Sequence, residues 1–309
     1  MRLRTFVVLA GLIASSLLFA TTLRFSFKRL ANYPAAFATY PRGINQSGQV
    51  AGFYQAVGGQ GHAYLETASG FRTIEPPSVK SSYAEGINDA GMAVGGYCIV
   101  SYCPLDGAEH AFIYDHGKFT TLNYPEPGSR TAAYGINNLG EVVGGYCPTR
   151  NLNCGGNLSP SNHAFKYSEG QYTTVDYPGA LSTEAFAIND SGDIVGYYLD
   201  NRGLHGFLYG GGVFRTNDVP NSGYTIPLGI NNAGQVAGVY TDQNAITHGY
   251  IYQNGVFYTK IDVPGSTASV LQGISNSGAV TAIANVNPIG PAEPFQGTPL
   301  SATPEEPPN

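Results

Sequence analysis

The chain has 309 residues, of which 12% are charged and 42% hydrophobic, with 41 glycines and 20 prolines. Its formal net charge of -6 excludes the basic surface that a nucleic-acid-binding protein needs to neutralise phosphates. Low charge with abundant Gly, Pro, Asn and Tyr is typical of many short strands joined by tight turns.

The N-terminal stretch has the pattern of an export signal. Residues 1–4 are basic, and residues 5–20 are almost entirely apolar or small. This layout predicts a secretory signal peptide over residues 1–20, with an uncleaved signal anchor as the alternative. Both place the rest of the chain outside the cytoplasm. We therefore expect a secreted, periplasmic or cell-surface protein with no membrane contact beyond this segment.

One phrase recurs six times along the rest of the chain. Its clearest copy reads GINNLGEVVGGY, from Gly135 to Tyr146. The copies begin at Gly43, Gly86, Gly135, Ala187, Gly229 and Gly273. Their spacings are 43, 49, 52, 42 and 44 residues, and each unit holds four short strand candidates. This is the period of a β-propeller blade.

Each copy of the phrase predicts a hairpin between the first and second strands of its unit. The turn begins with Asn and ends with Gly, as from Asn137 to Gly140, because Asn can bond the backbone two residues on and Gly tolerates positive φ. The second strand is apolar or small at consecutive positions, as from Val142 to Tyr146. Such a strand is buried on both faces. One carboxylate per turn is too few for a calcium site.

In the first five units the third strand begins with a histidine, and the fourth ends in an acid or an amide shortly before a proline. The histidine column is His62, His110, His163, His205 and His248. The second column is Glu75, Asn123, Asp176, Asp218 and Asp262. A side chain repeated in every blade predicts a hydrogen bond that each blade needs, so the histidines are interpreted as structural. The alternative is a set of imidazoles that converge on a channel as ligands or catalytic groups. No metal and no cofactor are expected.

The His-Ala-Phe triplets, set between Gly-Ile-Asn-x-x-Gly-x-Val-x-Gly and Asp-Tyr-Pro-Gly, resemble the bacterial HAF-repeat extracellular proteins. The resemblance covers residues 26–285 and departs from the family in the sixth unit, where no such triplet follows Gly278. It implies export and a propeller-like repeat fold, and no particular reaction.

The first and last units are incomplete in a complementary way. Residues 26–33 resemble a fourth strand with nothing before it, whereas the sixth unit shows no clear strand pattern after its second strand. Pairing these two ends would close the ring and leave no free sheet edge. The sequence therefore predicts an all-β fold, a six-bladed β-propeller of four-stranded antiparallel blades over residues 24–285, closed by the N-terminal strand. An open β-solenoid is the alternative.

The last 24 residues, 286–309, are expected to form a Pro-rich and largely disordered tail. Within it, the segment from Glu293 to Gln296 is a weak candidate for the missing third strand of the sixth unit, because two prolines lie close to it.

All four cysteines lie in insertions between the second and third strands of the second and third units. Pairing Cys98 with Cys103 and Cys147 with Cys154 is one of three arrangements, and it is favoured because each pair lies within one loop of an exported protein. A tetrathiolate zinc site between two blades is the alternative, although the spacings exceed those of usual zinc knuckles.

Recognition is expected where the copies differ, because variable loops on a rigid scaffold usually carry it. The two insertions, 98–109 and 147–162, should lie side by side on adjacent blades and form a binding patch. Its candidate residues are Tyr102, Asp106, Glu109, Arg150 and Asn157.

The sequence contains no nucleophile elbow, zinc-protease motif or phosphate loop, so no catalytic residue is predicted. We interpret the chain as a non-catalytic binding scaffold for an extracellular protein, peptide or glycan, with no nucleic-acid partner. An exported hydrolase or lyase with its site at the channel mouth is the alternative.

Overall fold

A computed structural model of the chain describes residues 23–99, 109–148, 161–287 and 289–300. They form six four-stranded antiparallel sheets. Contacts between neighbouring sheets run from the first to the sixth and back to the first. The fold is thus the six-bladed β-propeller that the repeat period predicts. In the described part of the chain, no helix is long and apolar enough to cross a membrane.

Each of the first three blades is a run of four consecutive strands. Blade 1 comprises β2 Ala38–Ile44, β3 Val50–Gln55, β4 Gly61–Thr67 and β5 Gly70–Thr73. Blade 2 comprises β6 Ser81–Ile87, β7 Ala93–Cys98, β8 Glu109–Asp115 and β9 Lys118–Leu122. Blade 3 comprises β10 Arg130–Ile136, β11 Val142–Cys147, β12 His163–Ser168 and β13 Gln171–Thr174.

Blades 4 and 5 repeat this order, and blade 6 combines the two ends of the chain. Blade 4 comprises β14 Ser182–Ile188, β15 Ile194–Asp200, β16 Gly203–Gly210 and β17 Val213–Thr216. Blade 5 comprises β18 Thr225–Ile230, β19 Val236–Thr241, β20 Thr247–Gln253 and β21 Val256–Thr259. Blade 6 comprises β22 Ser269–Ile274, β23 Val280–Ala284, β24 Glu293–Pro299 and, at its outer edge, β1 Phe25–Arg29.

The ring is closed by the N-terminal strand, as predicted. Strand β1 pairs with β24 along its whole length, from Phe25 opposite Pro299 to Arg29 opposite Phe295. Strand β24 lies in the stretch that the sequence assigned to the tail, so the propeller extends to Pro299 instead of ending at residue 285. The prolines are tolerated because they occupy the second and last positions of β24, where few ladder bonds are lost.

The core lies between the blades. Every residue of β11 and of β19 is buried, which confirms the prediction of second strands buried on both faces. Each larger apolar cluster joins two neighbouring blades: Val143 and Ala164 of blade 3, for example, pack with Ala185 and Phe207 of blade 4. Stability is therefore shared between blades, as expected of a closed ring of repeats.

The glycines that begin the repeated phrase let neighbouring blades meet closely around the axis. A Cβ atom on Gly135 would lie 2.7 Å from the Cα atom of Ala187 and 2.7 Å from the carbonyl oxygen of Phe186 in the next blade. The equivalent atom on Gly86 would lie 3.2 Å from the Cα atom of Gly135. These contacts narrow the channel at this level.

The asparagines that follow form hairpin turns, as predicted, and they also link the blades. In blade 3 the Asn137 side-chain oxygen accepts the backbone N–H of Glu141 at 2.9 Å, and its Nδ2 donates to the carbonyl oxygen of Asn189 at 3.0 Å. The same link to the next blade is made by Asn45, Asn88, Asn189 and Asn231. In blade 6 the position is occupied by Ser275, which has no amide to donate.

Candidate functional site

The first strand of every blade carries a β-bulge just before the repeated glycine. In blade 3 the pairing passes from Ala133 opposite Gly144 to Gly135 opposite Val143, so Tyr134 has no partner. A bulge of this kind changes the direction of a side chain. The six residues at this position, here called the channel ring, all line the central channel and are Arg42, Glu85, Tyr134, Phe186, Leu228 and Gln272.

The bulges also explain a second set of recurring glycines, here called the glycine column, which lie in the second strands of blades 1 to 5: Gly52, Gly95, Gly144, Gly196 and Gly238. A Cβ atom on Gly144 would overlap the carbonyl oxygen of Ala132, which the bulge turns toward it. The equivalent glycines of blades 2 and 4, Gly95 and Gly196, face the carbonyl oxygens of Tyr83 and Glu184 in the same way. The close approach of the backbone therefore requires glycine at these positions.

The channel widens away from the asparagine turns into two connected lobes. The polar lobe has a volume of about 310 Å³ and the apolar lobe about 410 Å³. Arg42, Glu85 and Tyr134 border both. The polar lobe is further lined by Ser81, Tyr83, Glu109, Arg130, Asn162 and Glu184. The apolar lobe is further lined by Phe186, Tyr197, Leu204, Ile226, Leu228 and Val239.

An ion pair between Arg42 of blade 1 and Glu85 of blade 2 lies where the polar and apolar lobes meet. Arg42 Nε lies 3.1 Å from Glu85 Oε2, and Arg42 Nη1 donates to Gln272 Oε1 of blade 6 at 2.6 Å. Burial raises the pKa of the Glu85 carboxyl, and the Arg42 guanidinium opposes this rise. The guanidinium also lies over the Phe53 ring, 5.4 Å from its centroid. These contacts fix Arg42 in one orientation.

A second ion pair joins blade 3 to blade 2. Arg130 Nη2 donates to Glu109 Oε2 at 2.7 Å, and only 14% and 13% of the two side chains are exposed. Burial raises the pKa of the Glu109 carboxyl, and Arg130 opposes the rise. Glu109 is the first residue of β8, so the pair anchors the returning end of the first insertion.

The third carboxyl of the polar lobe has no cation of its own. Glu184 is 2% exposed and Tyr197, its direct partner across β14 and β15, is 1% exposed. Asn162 Nδ2 donates to Glu184 Oε1. The Tyr197 hydroxyl interacts with the Glu184 carboxyl, but neither Glu184 Oε2 nor Tyr197 Oη makes a hydrogen bond of standard geometry to a described residue. Burial raises the pKa of the Glu184 carboxyl to about 8, against the effect of the Asn162 donor, so the group is mainly protonated at neutral pH.

The polar lobe exists because two blades carry glycine where the others carry a bulky residue. The position after the glycine column is Phe53, Gly96, Gly145, Tyr197, Val239 and Ile283 in blades 1 to 6. Gly96 makes room for the Tyr83 ring. Gly145 makes room for Glu184, whose Cγ atom would lie 3.4 Å from a Cβ atom there.

Of the binding residues predicted from the insertions, Glu109 lines the polar lobe. Tyr102, Asp106, Arg150 and Asn157 lie outside the described residues, as do Cys103 and Cys154. Cys98 and Cys147 end β7 and β11 and are buried, and their pairing with Cys103 and Cys154 stays a prediction. The ends of the insertions at Glu109, Cys147 and Asn162 all border the polar lobe.

The histidine column makes the predicted bond within each of blades 1 to 5. In blades 3, 4 and 5 the Nδ1 atoms of His163, His205 and His248 lie 2.6, 2.7 and 2.6 Å from the carboxylates of the second column. His62 contacts Glu75 at 2.8 Å, and His110 contacts Asn123 at 2.9 Å. The alternative, in which they converge, is therefore wrong for these five. No group of three or more His, Cys, Asp or Glu in the described ranges is placed to hold a metal.

The channel ring and Glu184 were missed by the sequence reasoning, which searched the insertions and the constant columns. The signal was the residue immediately before the repeated glycine, which differs in all six copies.

The chain matches no known family model and no curated protein. Among solved structures it is similar to a protein assigned as TolB from Agrobacterium tumefaciens, with a TM-score of 0.55 and 10% identity over 90% of this chain and 100% of that one. It is also similar to the six-bladed fungal lectin of Aleuria aurantia, with a TM-score of 0.48 and 12% identity over 92% of this chain and 97% of that one. The lectin AofleA of Arthrobotrys oligospora is similar with a TM-score of 0.49 and 13% identity over 90% of this chain and 92% of that one. At these identities the likeness shows the propeller fold alone.

Proposed function

We propose that the chain is an exported, non-catalytic binding protein that receives an amphipathic group in the mouth of its propeller channel. The group would be a small molecule or the exposed end of an extracellular peptide, protein or glycan. One observation carries the proposal: six different channel-ring side chains converge on two joined lobes, one polar and one apolar. Cavities of a few hundred Å³ with few fixed polar groups in an apolar surround are typical ligand sites.

The polar lining supports binding because it is held in place before a ligand arrives. Arg42 is fixed by Glu85 and Gln272, and Arg130 is fixed by Glu109. Side chains that are already ordered lose little conformational entropy on binding. The same pairing keeps Glu85 and Glu109 from acting as free bases.

The alternative, a hydrolase or lyase, is favoured by one observation. Glu184 has a pKa of about 8 in a cavity, which suits a general acid at neutral pH. The two functions are distinguished by incubating the protein with peptide and glycan panels. Turnover that is lost in Glu184→Gln would support the enzyme. Saturable binding without product would support the binding protein.

A direct test of channel binding compares two Leu→Arg variants in a panel of glycans, peptides and small amphiphiles. Leu228 lines the apolar lobe, and Arg there would place a charge in it. Leu139 is 70% exposed in a turn, and Leu139→Arg is the matched control. We expect compounds that bind the wild type to lose at least tenfold in affinity for Leu228→Arg, by isothermal titration calorimetry, and to bind Leu139→Arg unchanged. Equal binding to both variants, or no binding compound at all, would refute a channel site.

Export is proposed from the basic and apolar pattern of residues 1–20 and from the two cysteine pairs. Fractionation of cells that express the chain with and without residues 1–20 tests it. The full chain should leave the cytoplasm and the shortened one should stay. An unreduced intact mass four hydrogens below that of the reduced protein would support two disulfides, whereas retained zinc with free thiols would contradict them.

A further inference from the structure

We infer that the group received in the channel is a primary ammonium, which Glu184 and Tyr197 bind where the polar and apolar lobes meet. This rests on the proposed channel binding and names the chemistry of the ligand. The ligand would then be an amphipathic amine, with its apolar part directed into the apolar lobe.

The first step is the charge balance of the polar lobe. Its described lining holds three carboxyl groups and two guanidinium groups. Each guanidinium already has a carboxylate partner, Arg42 with Glu85 and Arg130 with Glu109. Glu184 is the carboxyl that remains. An incoming cation would favour the ionised form of Glu184 and so complete the set, whereas an incoming carboxylate or phosphate would find both arginines already engaged.

The second step is the set of hydrogen-bonding atoms that the protein leaves unused. Glu184 Oε2 and Tyr197 Oη are buried and interact with each other, and neither makes a hydrogen bond of standard geometry to a described residue. Glu184 lines the polar lobe and Tyr197 lines the apolar lobe. A primary ammonium has three N–H donors, so it could donate to both oxygens at once. Buried oxygens without a well-formed hydrogen bond are unfavourable, so a ligand that donates to both gains affinity.

The third step is the aromatic wall beside these two oxygens. The rings of Tyr134 and Phe186 are 5.1 Å apart, and those of Phe186 and Tyr197 are 5.7 Å apart. All three border the apolar lobe. Aromatic faces attract cations, and the attraction is stronger when the cation is desolvated. A neutral hydroxyl would gain neither this attraction nor an ion pair.

Binding of an ammonium should also release a proton. Burial raises the pKa of Glu184 to about 8 in the free protein, and a cation beside the carboxyl favours its ionised form. Amine affinity should therefore rise up to tenfold per pH unit between pH 6 and 8 and level off above about pH 8. A neutral ligand should show no such rise.

The experiment titrates the full chain with three probes of one shape: 4-phenylbutylamine, 4-phenylbutanol and 4-phenylbutyrate. At pH 8 we expect the amine to bind at least tenfold more tightly than the alcohol and the acid. At pH 7, calorimetry in two buffers of different ionisation enthalpy should report close to one proton released per amine and none per alcohol. Glu184→Gln should remove both the preference for the amine and its pH dependence. Glu126→Gln, at an exposed turn position, is the matched control and should change neither.

The outcomes separate this inference from the proposed function. If the alcohol or the acid binds as tightly as the amine, or the amine binds without proton release, the ammonium inference is wrong while channel binding stands. If Leu228→Arg leaves amine binding unchanged, the amine binds elsewhere and the inference is also wrong. Proton release in the wild type decides the question even where Glu184→Gln does not fold, because the alcohol supplies the comparison.

Discussion

Glu184 and Tyr197 face each other as directly paired residues of the first two strands of blade 4, and each has a buried oxygen without a hydrogen bond of standard geometry to a described residue. The equivalent pairs in blades 2, 3 and 5 are Tyr83 with Gly96, Ala132 with Gly145, and Ile226 with Val239. In these blades the pair has no buried acid. The polar pair of blade 4 therefore has no counterpart in these blades, and buried oxygens without a well-formed hydrogen bond call for a functional explanation.

The first prediction concerns the pH dependence of stability. The Glu184 pKa rises from its ordinary 4.5 to about 8 on folding, so the folded state binds more protons than the unfolded state between these values. The contribution is fully present below about pH 4.5 and is lost as the pH rises toward 8, by on the order of 1 kcal/mol per pH unit. We expect the free energy of unfolding, from urea denaturation between pH 5 and 8, to fall less steeply in Glu184→Gln than in the wild type. Parallel curves for the two proteins would contradict a buried, protonated Glu184.

The second prediction concerns the histidine column. Asp218 accepts hydrogen bonds from His205 Nδ1 at 2.7 Å and from the backbone N–H of Gly206 at 2.8 Å. Asp218→Ala leaves two donors without a partner and should lower the free energy of unfolding by about 1–3 kcal/mol. Asn123 is exposed and bonds His110, so Asn123→Ala should lower the free energy of unfolding by less than about 1 kcal/mol.

Ligand affinity of the folded protein should be the same in both column variants. Urea denaturation measures the stability of each variant, and calorimetry measures its ligand affinity. A loss of binding without a loss of stability in Asp218→Ala would assign the column a functional role instead of a structural one.

The third prediction concerns the glycine that begins each repeat. Gly135→Ala would place a Cβ atom 2.7 Å from backbone atoms of the next blade, and overpacking of this kind costs about 1–3 kcal/mol. Ala187→Gly is the reverse change at the equivalent position of blade 4. It should lower the free energy of unfolding by no more than about 1 kcal/mol, mainly because glycine gives the unfolded backbone more conformational entropy. Chemical denaturation of the two variants gives the comparison, and equal losses would argue against close blade contact as the reason for the glycine.

The fold could be predicted because the constant columns of the repeat carry it. The repeated glycine, the turn asparagine and the histidine with its acid or amide partner each make a contact that recurs in five of the six blades, so each recurs at a fixed position. Strand β24 was predicted only weakly because Pro294 and Pro299 suggest an irregular tail. The two prolines lie near the ends of the strand, where the loss of an N–H matters least. These positions follow from the register of β24 with β23 and β1, which the sequence does not show.

The site was missed because it lies on positions that vary. Residues one and three places before the repeated glycine differ between copies, as at Tyr134 and Ala132 of blade 3, whereas the residue four places before it is always Thr or Ser. The spacing of the two variable positions alone suggests one shared face of a strand. The pairing of Arg130 with Glu109 was beyond the sequence, because it joins strands of two blades and depends on where the first insertion returns.

The fourth prediction concerns the space that forms the polar lobe. A Cβ atom on Gly145 would lie 3.4 Å from Glu184 Cγ and 3.6 Å from Tyr134 Cε2, which is ordinary van der Waals contact. Blade 5 has Val239 and blade 6 has Ile283 at this position, so a β-branched residue suits the strand. Gly145→Val should therefore fold with a melting temperature close to that of the wild type. Its two methyl groups would occupy the polar lobe and should lower the affinity for any channel ligand more than tenfold.

Gly145→Ala is the graded control for this change, because it adds one carbon at an allowed distance and should lower affinity by less than Val does. Thermal denaturation and calorimetric titration of the wild type, Gly145→Ala and Gly145→Val test the series. If affinity is unchanged across the three proteins, the polar lobe is not part of the binding site. If affinity falls only together with melting temperature, the loss reflects damage to blade 3. A fall in affinity at constant melting temperature is the outcome expected of a cavity that blades 2 and 3 keep open by carrying glycine where the other blades carry bulk.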